Sequence, residues 1–446
     1  MQRSAPRVLA FVLAGGEGKR LAPLTRSVAK PAVPFHRHHR LIDFALANLR
    51  NSGIQAIHVL TQYRPESVLE HLARTWGGSG SLYQGFVNPV VGGAHGIERF
   101  RGTADAVYCN RDQIVDFCPD VVAVFGADHV YRMDVRQMID FHMAAGADAT
   151  IAALPVPLAA ARGFGVVAAA PDGRIKSFAE KPHDPEPMPG RPDYAFASMG
   201  NYLFQPAALL RALDDVRAAG GTDFGSDLLP HLLATSARLY AYDFATNVVP
   251  GSESSAEPHY WRDVGTLDAY FAAQMDTLGP RPRFDPRSTA WPIRSHADVS
   301  QPGAVGAIAD WAADALRDYR SDLGGRAARS RLSETIVRDG VAIGDGAELS
   351  RCVLQDGVTI GSGCRLRNVI VDRDNAVPDG TEIGFDEAAD RQRFSVSETG
   401  IVVVPAGTFP IVSVRRPARL IGRRATLPAQ PAAALPSPRN DWLQPA

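Results

Sequence analysis

The sequence predicts an α/β domain with a mostly parallel sheet, joined by a connecting segment to a short parallel β-helix. Three observations support this: apolar β-rich runs alternating with helical patterns from residue 8 to about residue 275, a change of composition over residues 276–332, and a motif that then recurs every 17 residues. The 446 residues are enough for two to three domains at roughly 150 residues each. Lys plus Arg total 47 against 48 Asp plus Glu, a formal charge of −1. No global field therefore draws the chain to nucleic acid or to an anionic membrane, and neither is expected as a partner. With 45% hydrophobic and 21% charged residues, the composition is that of a folded protein.

The apolar run Val8–Ala14 reads as a buried first strand, because it passes directly into glycines and charges. It is too short to span a bilayer and has no signal-type cleavage site after it. Further strands, short and apolar as in parallel sheets buried on both faces, are expected at Ala56–Thr61, Val121–Phe125, Ala149–Leu154 and Tyr202–Phe204. Ile42, Ala45, Leu46 and Leu49 share one face of a helix expected over Ile42–Ser52. Two loops interrupt the pattern: Pro182–Pro192 has five prolines in eleven residues, and Thr246–Glu257 is polar and Gly/Ser-rich. Both are expected to border the site or an interface. Cys109, Cys118, Cys352 and Cys364 are too scattered for a disulfide framework or a zinc knuckle, which points to a reducing, cytoplasmic setting.

The expected domains are 1–280, a connecting segment over 281–332 with a helix around Ala307–Leu316, a β-helix over 333–415, and a poorly ordered Pro/Ala/Arg-rich tail over 416–446. The β-helix rests on the repeat. Arg338–Gly346 recurs as Gln355–Gly363 and again as Asp372–Gly380, so that Ile343, Ile360 and Val377 align, as do Gly346, Gly363 and Gly380, and Ile336, Val353 and Ile370. Three short edges per turn require a period near 18, with aliphatics inward and glycines at corners. A meander of hairpins is the alternative. It does not explain three registers agreeing at one offset.

Leu13-Ala14-Gly15-Gly16-Glu17-Gly18-Lys19-Arg20-Leu21 follows the first strand. Glycines there let backbone N–H groups approach a polyphosphate, although a ligand-free glycine turn has the same composition. A Walker A loop would need glycine at position 13 and Ser or Thr at position 20, where Leu13 and Arg20 stand. A G-x-G-x-x-G fingerprint fails at Leu21. Asp128 follows an expected parallel strand, so its carboxylate falls at the C-terminal sheet edge, where open α/β folds bind ligands; capping of the next helix is the bland alternative. The His36, His38 and His39 cluster reads as a solvated basic loop, because three near-adjacent rings cannot converge on one metal.

The glycine run, with Pro23-Leu24-Thr25 and Lys30-Pro31-Ala32-Val33 after it, resembles the signature of the sugar-nucleotide pyrophosphorylases. The similarity continues through Thr61-Gln62-Tyr63, Arg101–Ala106, Gly126–His129, Phe178–Pro182, Asp223–Gly225 and Trp291–Arg294; Ala197–Gly200 and Tyr260–Thr266 resemble the ADP-glucose-forming branch. The resemblance implies a Rossmann-like nucleotidyltransferase domain followed by a left-handed β-helix. It also implies formation of ADP-glucose and pyrophosphate from ATP and glucose 1-phosphate, with Mg²⁺, for glycogen synthesis. On the matching positions it assigns Arg20, Lys30 and Asp128 to catalysis, Arg20 and Lys30 facing the triphosphate. Leu13, Ala14, Gly15, Gly16, Gly18, Gln62, Phe100, Gly102 and Thr103 fall to the nucleotide; Gly165, Glu180, Lys181, Ser198 and Asp223 to glucose 1-phosphate; Asp128 and Asp263 to the metal. A homotetramer responding to an anionic allosteric effector is implied as well.

The chain departs from that pattern in places. Arg99-Phe100 replaces a Trp-Tyr pair, so adenine is expected to stack without the tyrosine hydroxyl. Ser27-Val28 stands where basic effector residues are common, leaving Arg40, Arg391 and Arg393 as candidates for an anion, and the β-helix reads as about one coil short. The same chemistry on UTP, dTTP or GTP, and a non-catalytic regulatory subunit, are the rival readings. Retention of Arg20, Lys30, Asp128, Lys181 and Asp263 argues against the second.

Overall fold

The computed structural model describes residues 5–77, 85–94, 96–252, 255–294 and 330–411. The helix expected around 307–316 and the tail 416–446 lie outside these residues. The first domain begins with β1 (Val8–Leu13), a small hairpin of β2 (Pro34–Phe35) and β3 (His39–Arg40), α1 (Ile42–Asn51), β4 (Ala56–Thr61), α2 (Pro65–Thr75) and β5 (Phe86–Val91). It continues through α3 (Thr103–Tyr108), α4 (Arg111–Phe117), β6 (Val121–Gly126), β7 (His129–Tyr131), α5 (Val135–Ala144), β8 (Ala149–Pro157), α6 (Leu158–Ala161), β9 (Gly165–Ala169) and β10 (Ile175–Glu180). It closes with β11 (Tyr194–Phe204), α7 (Pro206–Ala218), α8 (Leu229–Ala234), β12 (Leu239–Asp243), β13 (Trp261–Asp263) and α9 (Leu267–Met275).

β1 sits inside a parallel core of order β6-β1-β4-β5. Its residues alternate between two apolar layers: Val8, Ala10 and Val12 enter one cluster, Leu9 and Phe11 the other. A strand covered on both faces has no polar side, which is why the run reads as continuously apolar. The strand expected at Tyr202–Phe204 is the end of the longer β11, and it runs antiparallel to β6 rather than parallel. The chain reaches β11 from the β9/β10 hairpin and the proline-rich loop, not through a helical crossover. Phe284, Trp291 and Ile293, in the segment expected to connect the domains, are buried in the structure.

The second domain is a stack of parallel edges: β14 (Arg331–Ser333), β15 (Ile336–Val337), β16 (Ala342–Ile343), β17 (Glu348–Leu354), β18 (Thr359–Ile360), β19 (Arg365–Val371), β20 (Ala376–Val377) and β21 (Glu382–Ile383). The expected register holds: Ile343 pairs with Ile360 and Ile360 with Val377, while Ile336 pairs with Val353 and Val353 with Ile370. A helix, Glu387–Arg393, then interrupts the stack before β22 (Ser395–Val396) and β23 (Val402–Val404), which resumes it beside β19. Glycines take left-handed backbone at Gly346, Gly363 and Gly380, as expected of corners. A further corner has no glycine: Glu334, Arg351 and Asn368 all carry φ near +50°, at 46°, 52° and 55°. On one outer face Arg331, Glu348, Arg365 and Glu382 form an alternating ladder with ion contacts of 3.3, 3.7 and 2.5 Å.

The two domains meet at the His36–His39 loop, which is therefore only partly solvated: His38 keeps a partly exposed side chain, whereas His36 and His39 are buried. His36 and His39 are each 8% exposed. Burial holds the His36 imidazole well below its usual range, with neighbouring His39 and arginines acting the same way. The Arg338 guanidinium of the β-helix donates to the carbonyls of Phe35, His36 and His39 and pairs with Asp356 at 2.9 Å. Gln355 donates to the Tyr270 hydroxyl of α9, which donates to the Pro34 carbonyl; Ser397 and Thr399 both donate to Asp268. Arg338→Met leaves three carbonyls and a carboxylate short of their donor, so urea unfolding should show a loss of about 2–4 kcal/mol. Arg331→Met, in the exposed ladder, should leave the midpoint unchanged.

Candidate active site

The register of the parallel core gathers the site. Leu13 at the end of β1 lies beside Leu60 of β4 and Gly126 of β6, so the loops after all three strands share one edge. The Ala14 amide donates to the Leu60 carbonyl at 2.8 Å, and the Ala127 amide to that of Leu13 at 3.2 Å. Gly15 and Gly16 follow with open backbone, and a Cβ on Gly15 would stand 3.9 Å from Gln62. Gly18 has φ +64°, and a Cβ there would come within 2.8 Å of the Lys30 Cβ. Only glycine fits both demands.

Lys30 lies in the short turn Lys30–Ala32 and is 7% exposed. Its ammonium stands 2.7 Å from Asp128 Oδ2 and 3.6 Å from Asp263 Oδ1. Although 135 residues separate the two aspartates, β13 pairs with β7 so that Asp263 sits opposite His129, the residue after Asp128. Arg20 completes the group: a Cβ placed on Gly265 would lie 3.2 Å from both Arg20 Nη2 and Asp263 Oδ1. Burial pushes the Asp128 carboxyl up, but Lys30, His129 and the hydrogen bond from Lys30 outweigh it and hold the group down at about 2. Ligand atoms of Asp128, His129 and Asp263 fall within 4.8 Å of one another, the one such group among the described residues. Two carboxylates, one held ionised far below neutral pH, are hard oxygen donors of the kind a divalent cation such as Mg²⁺ accepts.

The residues expected at the sugar form a second group. Gly165 pairs with Glu180, and a Cβ on Gly165 would meet Phe178 at 2.6 Å and Glu180 Oε2 at 3.0 Å. The Glu180 and Asp223 carboxylates converge over Gly225, at 3.3 and 3.4 Å from its missing Cβ. Asp223 is already engaged by protein donors: Thr103 Oγ1 at 2.7 Å and the Gly225 and Ser226 amides at 2.8 and 3.2 Å. Its first task is thus to hold the turn Phe224–Leu228 beside Glu180. Lys181 has left-handed backbone, φ 46°, and reaches Glu180 Oε1 at 2.9 Å from an exposed position. Ser198 opens the bulge in β11 and accepts from the Gly200 amide at 3.3 Å. That bulge joins the two groups, because a Cβ on Gly200 would lie 3.5 Å from the His129 ring.

Among the residues expected at the nucleotide, Gln62 and Phe100 exchange two hydrogen bonds: Gln62 Nε2 donates to the Phe100 carbonyl at 3.1 Å, and the Phe100 amide to Gln62 Oε1 at 2.6 Å. Gln62 therefore splints the Arg99-Phe100 loop. Gly102 permits a close approach, since a Cβ would lie 2.4 Å from the Thr222 carbonyl oxygen, and Thr103 next to it binds Asp223. Sequence reasoning gave no role to His129 or Tyr202. His129 stands inside a matched block, next to an expected ligand. Tyr202, whose phenol is pushed up to about 12 by burial, gave no signal beyond its strand. Arg373 was also missed: it lines a cleft between the domains with Arg40, Ser27, Val28 and Asp372, a lining that does not include Arg391 or Arg393.

The nucleotidyl transferase family model matches residues 9–279, and the GlmU-like C-terminal hexapeptide model matches residues 324–404. A sheet edge with a glycine loop, a buried lysine and paired aspartates thus belongs to a nucleotidyl transferase. Among curated relatives, the glucose-1-phosphate adenylyltransferase of Thermus thermophilus is 45% identical over 90% of this chain and 98% of its own length. That of Thermodesulfovibrio yellowstonii is 42% identical over 90% and 96%, and that of Frankia casuarinae 44% over 90% and 98%. The chain belongs to the glucose-1-phosphate adenylyltransferase family. No helix among the described residues is long and apolar enough to cross a membrane.

In metal-free buffer, the Asp128 carboxyl should titrate near pH 2 by carbon-13 NMR. In Lys30→Met the midpoint should rise by about 1–3 units, because burial then acts with less opposition; an unmoved midpoint contradicts the assignment of the shift to Lys30.

Proposed function

We propose that the protein makes ADP-glucose and pyrophosphate from ATP and α-D-glucose 1-phosphate, with Mg²⁺, as a supply for glycogen synthesis. The observation that supports this most is the meeting of Lys30, Arg20, Asp128 and Asp263 at one sheet edge, beside the glycine loop, in a chain whose relatives carry that name. The nucleophile needs no base. A phosphate oxygen of glucose 1-phosphate is already anionic; it forms the new bond to the α-phosphorus of ATP as the bond from that phosphorus to the bridging oxygen breaks, and pyrophosphate leaves with the electron pair.

The protein's part is positioning and charge. Backbone N–H groups of 15–18, beyond the end of β1, face the phosphates, and Arg20 and Lys30 stabilise the charge that builds on the leaving group. Asp128 and Asp263 would hold Mg²⁺, which supplies Lewis-acid polarisation of the phosphoryl oxygens. Phe100, fixed by Gln62, offers its ring to adenine. Lys181 takes the sugar phosphate, while Glu180, Ser198 and the Asp223 turn border the sugar, with Gly165 leaving room for Glu180. An anionic effector belongs to the proposal, with Arg40 and Arg373 as its candidate cations beside Asp356 and Asp372. A homotetramer and a cytoplasmic setting complete the proposal; light scattering on the purified chain tests the first.

Pyrophosphate release, measured with glucose 1-phosphate, Mg²⁺ and each nucleoside triphosphate in turn, should occur with ATP, and activity with UTP alone would overturn the nucleotide assignment. Asp128→Asn should lower kcat by at least about 10²-fold. Phe100→Tyr should lower KM for ATP roughly two- to tenfold, the worth of one net hydrogen bond.

A further inference from the structure

The two carboxylates proposed to hold the cation have a third partner. His129 opens β7, and the pairing of β7 with β13 sets it opposite Asp263 and next to Asp128. Its Nε2 lies 3.7 Å from Asp128 Oδ1 and 3.9 Å from Asp263 Oδ1. These distances are too long for hydrogen bonds. They are the separations expected between ligand atoms on one cation, since bonds of about 2.1 Å put neighbouring ligands roughly 3–4 Å apart.

The ring is held there by packing. The Trp261 ring lies 5.0 Å from it, centroid to centroid, and Trp261 packs in turn on Phe164 at 5.5 Å. Gly126 and Gly200 leave the space the ring fills, at 3.4 and 3.5 Å from where their Cβ atoms would be. Nδ1 is buried without a hydrogen-bond partner among the described residues, so none of them draws the ring elsewhere. Lys30 contacts Asp128 through Oδ2, which leaves Oδ1 directed to His129.

We propose that His129 is a third protein ligand of the divalent cation, through Nε2, and that it biases the site from Mg²⁺ toward cations that accept nitrogen, such as Mn²⁺ and Co²⁺. A site of carboxylates and phosphate alone suits Mg²⁺, whereas an imidazole raises affinity along the transition-metal series. The inference rests on the reading that Asp128 and Asp263 hold the cation.

The test uses the full chain with Mn²⁺ and pyrophosphate, a probe that carries no nitrogen. Electron spin-echo modulation should show a nitrogen coupled to Mn²⁺, and labelling histidine alone with nitrogen-15 should change that signal. His129→Ala and the polar His129→Gln should both lose it. Mn²⁺ affinity should fall about 10- to 100-fold, the loss expected for a group that sets metal affinity, while Mg²⁺ affinity changes by less than roughly threefold. Bound Mn²⁺ with no histidine nitrogen in the unsubstituted protein overturns the proposal, even where Asp128→Asn abolishes binding and so upholds the carboxylate reading. Mn²⁺ binding unchanged in both Asp128→Asn and Asp263→Asn sinks that reading, and this one with it.

Discussion

The contact of one ammonium with two carboxylates organises the first domain's working edge. Lys30 is almost withdrawn from water, and a buried ammonium is tolerable only with opposite charge beside it. Asp128 and Asp263 supply that charge from strands that end at the same place. The demand spreads outward: the lysine stem passes where a side chain on residue 18 would be, so the loop after β1 must have glycine there. Asp263 must come back through β13, which fixes the start of α9 four residues on. Loop, turn and helix are thus consequences of a single cluster of charge.

Much of this could be read from the chain. Continuous apolar runs marked β1, β4 and β6 because a strand buried on both faces has no polar side, and Asp128 followed from its place after β6. The aliphatic register of the β-helix was legible for the same reason: Ile343, Ile360 and Val377 repeat one environment three times. The partnership of Asp128 with Asp263 was not. It depends on a two-stranded pairing between segments far apart in the chain, which no local pattern encodes, and only the family resemblance pointed to it.

The errors share one cause. The His36–His39 loop reads as solvated because its charge and polarity are local facts, while its burial depends on Arg338, some 300 residues later. The direction of β11 was missed because a strand's apolar run is silent about which way the chain arrives. The corner at Glu334, Arg351 and Asn368 was invisible because glycine is only the easiest route to left-handed backbone; here ordinary side chains occupy it, stacked so that Arg351 bonds to both neighbours. Asp223 shows the converse: a carboxylate expected to meet substrate has its oxygens engaged in building the wall beside it.

The charge ladder on the β-helix bears on how such a domain can grow or shrink. Each coil presents one charge at this position, and the sign alternates from Arg331 to Glu382. Excising one inner coil would set Arg331 against Arg365, or Glu348 against Glu382, at the new junction. Excising two restores the match. A stack built this way has a parity: its length is freest to change by pairs of coils, and a single duplication leaves a seam of like charge that further substitution must repair.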